Sequence, residues 1–368
     1  MIEKMKIYVL MPIGGNHVND YDGLDIDLKS IDRVIGGITG SGYSFNDNVH
    51  RFMETDTMSV FQSIYENAAN VFSSELSGFR SLFARMIIII ILSAVFINLS
   101  KTFKNKQVSE TGFYVTYMLI FMIFATSFGS LFDLSGNVMN NLLTFMKALI
   151  PTFFMTVTYV AGSGSTAVFY QAMIALLGLV QALIVNVFLP LINTYFVFSA
   201  VNPLMEEDYF SHFLELIEKI VTWGLKTIFT VTMGVGLIQS LIVPAAAGVR
   251  KSIIGKTVNA IPAVGGTMST VFESVFGAGM IIKNAIGAAG LVTVVMICIV
   301  PVAKLGIHSL LYQFCAAVSQ PIANDKRILR CITSASKSVR LLLVTVGMSA
   351  VLFMVTIALV SASTGIGY

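Results

Sequence analysis

The longest apolar stretch of the chain contains no charged residue for 58 positions, from Ala148 to Met205. Four shorter uncharged stretches, each of about 20 residues or more, follow it. A helix of about 20 residues crosses the hydrocarbon core of a bilayer, because each residue adds about 1.5 Å. Water-soluble domains carry charges throughout their surface, so this pattern predicts an all-α polytopic membrane protein.

The pattern of apolar and charged residues predicts about eight transmembrane helices. They are expected at Leu82–Leu99, Thr111–Phe132, Ala148 to about Val160, Thr166 to about Leu189, Thr227–Val249, Asn284–Ala303, Leu305–Asn324 and Leu341 to about Ser361. Lys304 alone separates the sixth of these spans from the seventh.

Basic residues predict how these spans are oriented. Lys and Arg cluster in three connecting segments, at 101–106, 250–283 and 326–340. With eight spans, all three fall on one side of the membrane, and the positive-inside rule makes that side cytoplasmic. The acidic segment Glu206–Lys219 then falls on the opposite side. The prediction is therefore an extracytoplasmic N-terminal region, 1–80, and a transmembrane domain, 81–368, whose C-terminal tail is also outside the cytoplasm.

Three segments do not fit a simple span. Apolar residues recur at helical spacing at about 46–80 and at 206–225, with charged residues on the opposite face. The first is predicted to be an amphipathic helix of the extracytoplasmic region that runs into the first span, and the second an amphipathic helix that lies on the membrane surface. The segment 244–283 holds six glycines and two prolines. It is either a re-entrant element, whose irregular backbone needs protein or water around it, or a pair of short surface helices joined by glycines.

Composition excludes several other classes of function. The chain is 55% hydrophobic and 12% charged, with a net charge of +3, and no basic tract alternates with aromatic residues. Nucleic-acid binding is therefore not expected. The cysteines, Cys298, Cys315 and Cys331, are interpreted as buried apolar residues. Gly255-Lys256-Thr257 ends like a nucleotide-binding loop, but Arg250 occupies the position of its first glycine. No metal, cofactor or catalytic set is predicted, so an enzyme is not expected.

A few polar side chains fall inside the predicted spans, where they are costly unless they bond to other groups or contact water. Four of them are the candidate functional residues, namely Gln171, Gln181, Asn186 and His308. The amides either line a passage or bond neighbouring helices to each other. His308 is either a proton-relay group or a hydrogen-bonded packing residue. Glycines and alanines at 287–290 predict that another helix approaches closely there.

Several stretches resemble one known family along most of the chain after residue 60. Examples are KALIPTFFMTVTYVAGSGSTAVFY at 147–170, LPLINTYFVFSAVNPLMEE at 189–207 and VTWGLKT at 221–227. The other matching stretches are Val71–Thr126, Gly255–Pro262 and Leu329–Leu343. In this order and spacing they resemble the stage III sporulation protein AE family.

The resemblance implies a role in endospore formation. Members are integral proteins of the mother-cell membrane around the forespore. They are thought to act with other proteins of the stage III complex, including an ATPase and a forespore partner, in a secretion-type channel or feeding tube. No catalytic residues are implied. Two readings follow: a channel or permease-like subunit, with its amides and segment 244–283 along a passage, or a non-conducting scaffold that recruits other subunits.

Overall fold

The computed structural model describes residues 28–39, 43–54, 57–102, 106–161, 165–205, 207–259, 265–322 and 326–363. The regular structure in these ranges is helical throughout, and they contain no strand. Nine α-helices occupy them: α1 (Leu28–Thr39), α2 (Phe45–Met53), α3 (Thr57–Thr102), α4 (Lys106–Ala161), α5 (Ser165–Leu183), α6 (Leu189–Val201), α7 (Ser211–Asn259), α8 (Gly265–Ile322) and α9 (Lys326–Ser363). The predicted all-α class is confirmed.

Five helices in the described part of the chain are long and apolar enough to cross a membrane. They are Glu110–Phe153, Ala175–Leu204, Ser211–Ile238, Gly277–Pro321 and Arg327–Ser361. The predicted count of eight is not confirmed. The second and third predicted spans both lie on α4, the sixth and seventh both lie on α8, and Leu82–Leu99 lies within α3. Isolated charged residues such as Lys304 leave the backbone hydrogen bonds of a helix intact, so they do not end it.

One π-helical turn, Ile184–Phe188, joins α5 to α6. Pro190 lies two residues after the end of this turn. It has no backbone N–H, so it cannot donate to the carbonyl oxygen of Asn186 four residues earlier. The N–H of Leu189 instead bonds to the oxygen of Ile184, five residues back. Pro190 therefore accounts for the extra residue in this turn.

The N-terminal helices α1 and α2 pack against α4 and α8. Asp32 on α1 accepts hydrogen bonds from the backbone N–H groups of Phe45, at 2.5 Å, and Asn46, at 3.3 Å, so it caps α2. The Phe45 ring then meets the Phe145 ring of α4 edge to face, with 6.4 Å between centroids. The helices α1 and α2 thus share one apolar core with the long helices. The predicted domain boundary at residue 80 stays a prediction.

Close packing of α8 against α4 and α9 forms the centre of the structure. A Cβ at Gly290 would lie 3.2 Å from the Leu149 side chain, and a Cβ at Gly287 would overlap the Ser361 hydroxyl. The predicted close approach at 287–290 is confirmed. The three cysteines are buried, as the sequence predicts.

The glycine-rich segment 244–283 has helical backbone on both sides of 260–264, because α7 extends to Asn259 and α8 begins at Gly265. A re-entrant element is therefore not confirmed. The segment 206–225 is not a separate surface helix either, since most of it forms the first part of α7. Its apolar residues Ile217, Val221 and Leu225 are buried in the protein core, where α7 packs against α6 and α9.

The prediction that Glu206–Lys219 and segment 326–340 lie on opposite sides of the membrane is wrong. Glu218 Oε2 on α7 lies 3.8 Å from Lys337 Nζ on α9. Because α8 is one continuous helix, two helices able to cross a membrane, Ser211–Ile238 and Gly277–Pro321, lie between residue 210 and residue 326, where the prediction has three spans. Basic residues then occur on both sides, so their distribution no longer identifies the cytoplasmic face.

Candidate functional site

The outward face of α4 carries an uninterrupted row of polar side chains. Its members follow one another at alternating steps of four and three residues and are all exposed, namely Thr126, Ser130, Asp133, Asn137, Asn140, Thr144 and Lys147. This spacing places them on one side of the helix. We call this row the polar stripe.

The polar stripe is about 30 Å long at 1.5 Å per residue, which is close to the thickness of the hydrocarbon core. It lies within Glu110–Phe153, one of the five helices able to cross a membrane. Toward the N-terminus of α4, the outward positions are apolar instead. Val115, Met118, Leu119 and Met122 are each more than half exposed. The outward face of α4 therefore changes from a surface suited to lipid to one suited to water or polar groups.

The side chains of the polar stripe differ in whether they have hydrogen-bond partners within the protein. The hydroxyls of Thr126, Ser130 and Thr144 each donate to the backbone oxygen four residues earlier, as serine and threonine commonly do in membrane helices. Within the described part of the chain, the side chains of Asp133, Asn137, Asn140 and Lys147 make no hydrogen bond or ion pair. These four side chains need water or another protein as a partner.

The opposite face of α4 prevents the helix from turning the stripe inward. Phe128 is buried, and its ring stacks on that of Phe196 in α6 with 4.0 Å between centroids. Tyr117 donates from its hydroxyl to the backbone oxygen of Ala200 at 2.5 Å. Rotating α4 would expose these aromatic residues, so the stripe is held at the surface by the packing behind it.

Two of the predicted site residues lie on the α5–α6 helix pair. Gln181 is buried, and its Nε2 donates to the backbone oxygen of Met139 in α4 at 2.6 Å. This is an interhelical bond, although Oε1 of Gln181 has no partner among the described residues. Asn186 is exposed within the π-helical turn. The side chain of Gln171 lies outside the described residues.

His308 lies on α8, away from those amides. Its Nδ1 is 2.9 Å from the backbone oxygen of Lys304, and its ring meets Tyr312 edge to face at 6.3 Å. Tyr312 in turn donates to the Ser127 hydroxyl of α4 at 2.5 Å. His308 thus makes a ring contact with Tyr312, and it is Tyr312 that bonds to α4. The four predicted residues do not form one site, and their roles stay predictions.

The predicted spans Thr111–Phe132 and Ala148 to about Val160 do not include the polar stripe as a unit, because Asp133 and Lys147 lie just outside them. The signal that identifies the stripe is the spacing of polar residues between Thr126 and Lys147, which has the same four-and-three period that marks apolar helix faces.

Comparisons with known proteins agree on one family. A family model described as stage III sporulation protein AE matches residues 43–364. Over 284 residues the chain is 23% identical to stage III sporulation protein AE of Bacillus subtilis (strain 168), an alignment that covers 76% of this chain and 70% of that protein. No solved structure matches the chain.

Proposed function

The chain belongs to the stage III sporulation protein AE family, and we propose that it is the multi-pass membrane subunit of a transport complex between mother cell and forespore. In this proposal the polar stripe of α4 faces an aqueous passage. The other proteins of the complex complete the wall of that passage, and a partner ATPase supplies the energy. The subunit lies in the mother-cell membrane that surrounds the forespore.

The observation that carries the proposal is the position of the polar stripe on a helix able to cross a membrane. An Asp or a Lys at the centre of a membrane helix costs about 2.5–3.5 kcal/mol when it faces lipid. Asp133, Asn137, Asn140 and Lys147 are exposed and lie along about 30 Å of one helix. A water-filled passage supports all four without this cost, whereas a lipid-facing surface does not.

The passage is expected beside the chain and not through its own helix bundle. The pocket between α4, α5 and α9 has a volume of only about 30 Å³, and its lining is apolar. A permease-like path at this point has no room for a solute. The polar stripe lies on the outer surface of the chain, so other subunits must form the facing wall.

A second candidate function is a non-conducting scaffold that recruits the other subunits. The buried bond between Gln181 and the Met139 backbone favours it, because this amide joins helices instead of lining a passage. In the scaffold reading, the polar stripe is covered by a partner's polar helix and does not contact water.

Cysteine labelling of the polar stripe in sporulating cells distinguishes the two functions. In a variant whose three native cysteines are replaced by alanine, single cysteines replace Asn137, Asn140 or Thr144. Met118→Cys and Met122→Cys are the lipid-facing controls, and Leu142→Cys is the buried control. We expect a charged, membrane-impermeant thiol reagent to label the three stripe positions and none of the controls.

Labelling of the stripe positions only after the other subunits have been deleted would support the scaffold. Equal, slow labelling of stripe and lipid-facing positions would contradict both functions, because α4 would then have one uniform environment.

A further inference from the structure

A polar cleft of about 440 Å³ opens between α6, α7 and α9, within the size range of small-molecule sites. It is separate from the polar stripe and is not used in the proposed function. Its lining comes from the ends of three helices that are able to cross a membrane: the last turns of Ala175–Leu204 and the first turns of Ser211–Ile238 and Arg327–Ser361. The cleft therefore lies at one boundary of the membrane domain.

Charged residues of opposite sign line different walls of this cleft. Asp208, just before α7, and Glu218, on α7, form an acidic wall. Arg330 and Lys337 on α9 form a basic wall. The third acidic residue of the lining, Glu215, is already paired with Lys219 at 2.8 Å. The cleft is thus close to neutral in total, but its positive and negative charges are separated.

The ion pair between the two walls is weak. Lys337 Nζ and Glu218 Oε2 are 3.8 Å apart, and both side chains remain about half exposed, at 59% and 42%. Exposed pairs of this kind contribute little to stability, because water screens their charges. Both groups can therefore exchange this contact for a ligand at little cost.

Asp208 is positioned more firmly than the other charged groups. Its Oδ1 accepts hydrogen bonds from Asn202 Nδ2 at 2.7 Å and from the Ser211 hydroxyl at 2.5 Å. These two bonds, together with the charge of Arg330 across the cleft, lower the pKa of the Asp208 carboxyl below its usual value. The acidic wall therefore carries a fixed negative charge at neutral pH.

The surface around the cleft fits the headgroup region of a bilayer. Phe213, Leu216, Ile220 and Trp223 are exposed on the side of α7 that faces away from the cleft. Tyr209, beside the opening, is 65% exposed. Aromatic residues with one polar end are enriched at the level of lipid headgroups. The outer side of α7 is therefore suited to lipid, while the side of α7 that lines the cleft is polar and charged.

We propose that this cleft binds a zwitterionic phosphoester headgroup of the phosphoethanolamine type. Its phosphate contacts Arg330 and Lys337, and its ammonium contacts Asp208 and Glu218. A purely anionic group would be repelled by the acidic wall and a purely cationic group by the basic wall, so the separation of charge selects a ligand that carries both. The position at the membrane boundary favours phosphatidylethanolamine as the source.

Calorimetric titration of the purified full-length protein in detergent micelles tests this binding. The probes are dihexanoyl phosphatidylethanolamine, dihexanoyl phosphatidylglycerol, O-phosphoethanolamine and inorganic phosphate. We expect saturable binding of the phosphatidylethanolamine and at least tenfold weaker binding of the phosphatidylglycerol and of phosphate. If O-phosphoethanolamine binds as tightly as the lipid, the natural ligand is the soluble headgroup; if it binds weakly, the ligand is the lipid. Equal binding of both lipids would overturn the proposal.

Matched variants show whether binding occurs in the cleft. Arg330→Gln and Lys337→Gln should each weaken binding about tenfold, while Arg340→Gln, on the same helix but outside the lining, should not change it. On the acidic side, Glu218→Gln should weaken binding and Glu207→Gln should not.

Exchanging the two charges, with Glu218→Lys and Lys337→Glu together, keeps the ion pair but leaves each wall with one positive and one negative charge, because Asp208 and Arg330 are unchanged. We expect a stable protein that has lost headgroup binding. Unchanged binding in this double variant would overturn the proposal, because the charged walls would then serve only to hold α7 against α9.

Discussion

Lys283 on α8 donates a hydrogen bond from Nζ to the backbone oxygen of Ser361 on α9, at 2.6 Å. The Lys283 side chain is fully buried, and Ser361 lies in the last turn of α9, where carbonyl oxygens lack partners within the helix. A cation at this end of a helix also opposes the negative end of its dipole. One buried lysine thus joins the C-terminus of α9 to α8.

Replacing this lysine should destabilise the protein. Lys283→Met keeps most of the side-chain volume but leaves the Ser361 oxygen without its donor, so we expect the free energy of unfolding to fall by about 1–3 kcal/mol. Titration with SDS from detergent micelles measures the change. Lys226→Met, at an exposed position on α7, is the control and should change stability by no more than about 0.5 kcal/mol. An equal effect of both variants would contradict this role for Lys283.

Gly224 on α7 should not tolerate a methyl group. An added Cβ would lie 2.7 Å from the buried Phe188 ring, whereas at Gly234 it would meet nothing within 4 Å. We expect Gly224→Ala to cost about 1–3 kcal/mol through overpacking. Gly234→Ala should be neutral or stabilising by up to about 1 kcal/mol, because alanine favours a helix.

Combining Gly224→Ala with Phe188→Leu should restore part of the lost stability, because leucine is smaller than phenylalanine and leaves room for the added methyl group. Thermal unfolding of the four proteins in the same detergent measures these differences. If both alanine variants lost the same stability, contact between Phe188 and Gly224 would not be the cause.

The start of α7 and the start of α9 should lie on the same side of the membrane. Ser211 and Thr333 line one cleft, so cysteines at these two positions should react with an impermeant reagent added from the same side. The eight-span prediction places the two positions on opposite sides of the membrane. Labelling from opposite sides would therefore contradict the packing of α7 against α9 in the structure. A cysteine-free parent protein is the control for both sites.

Acid should weaken the turn that precedes α7. The pKa of Asp208 is lowered from its usual 3.8, mainly by hydrogen bonds from Ser211 and Asn202. A carboxyl whose pKa falls on folding adds stability above its unfolded value, and this stability is lost as the pH drops through the lower folded value. The melting temperature of the native protein should therefore exceed that of Asp208→Asn above about pH 4.

The difference between these two melting temperatures should shrink below that pH. A constant difference from pH 6 to pH 3 would show that the charge of Asp208 does not stabilise the turn. Glu207→Gln, at the preceding exposed position, should show no such dependence on pH.

Some individual contacts follow from the sequence because they depend on residue size and burial alone. Gly287 and Gly290 lack a Cβ, so they permit the close approach that α8 makes to its neighbours. The three cysteines are apolar enough to be buried in any helix packing. Gln181 was found by its polarity, but whether it bonds to Met139 or contacts water depends on a residue 42 positions away.

Local composition by itself determined that this protein is helical and belongs in a membrane, since apolar runs of sufficient length have few other stable environments. The ordered sequence stretches also identified its family. Tertiary structure decided how many helices those runs form, because Asp133 and Lys304 either end a span or remain within one, depending on what surrounds them. It also decided that the polar stripe faces outward and that Glu218 meets Lys337. Both depend on the rotation and pairing of helices, which are set by contacts between residues far apart in the chain.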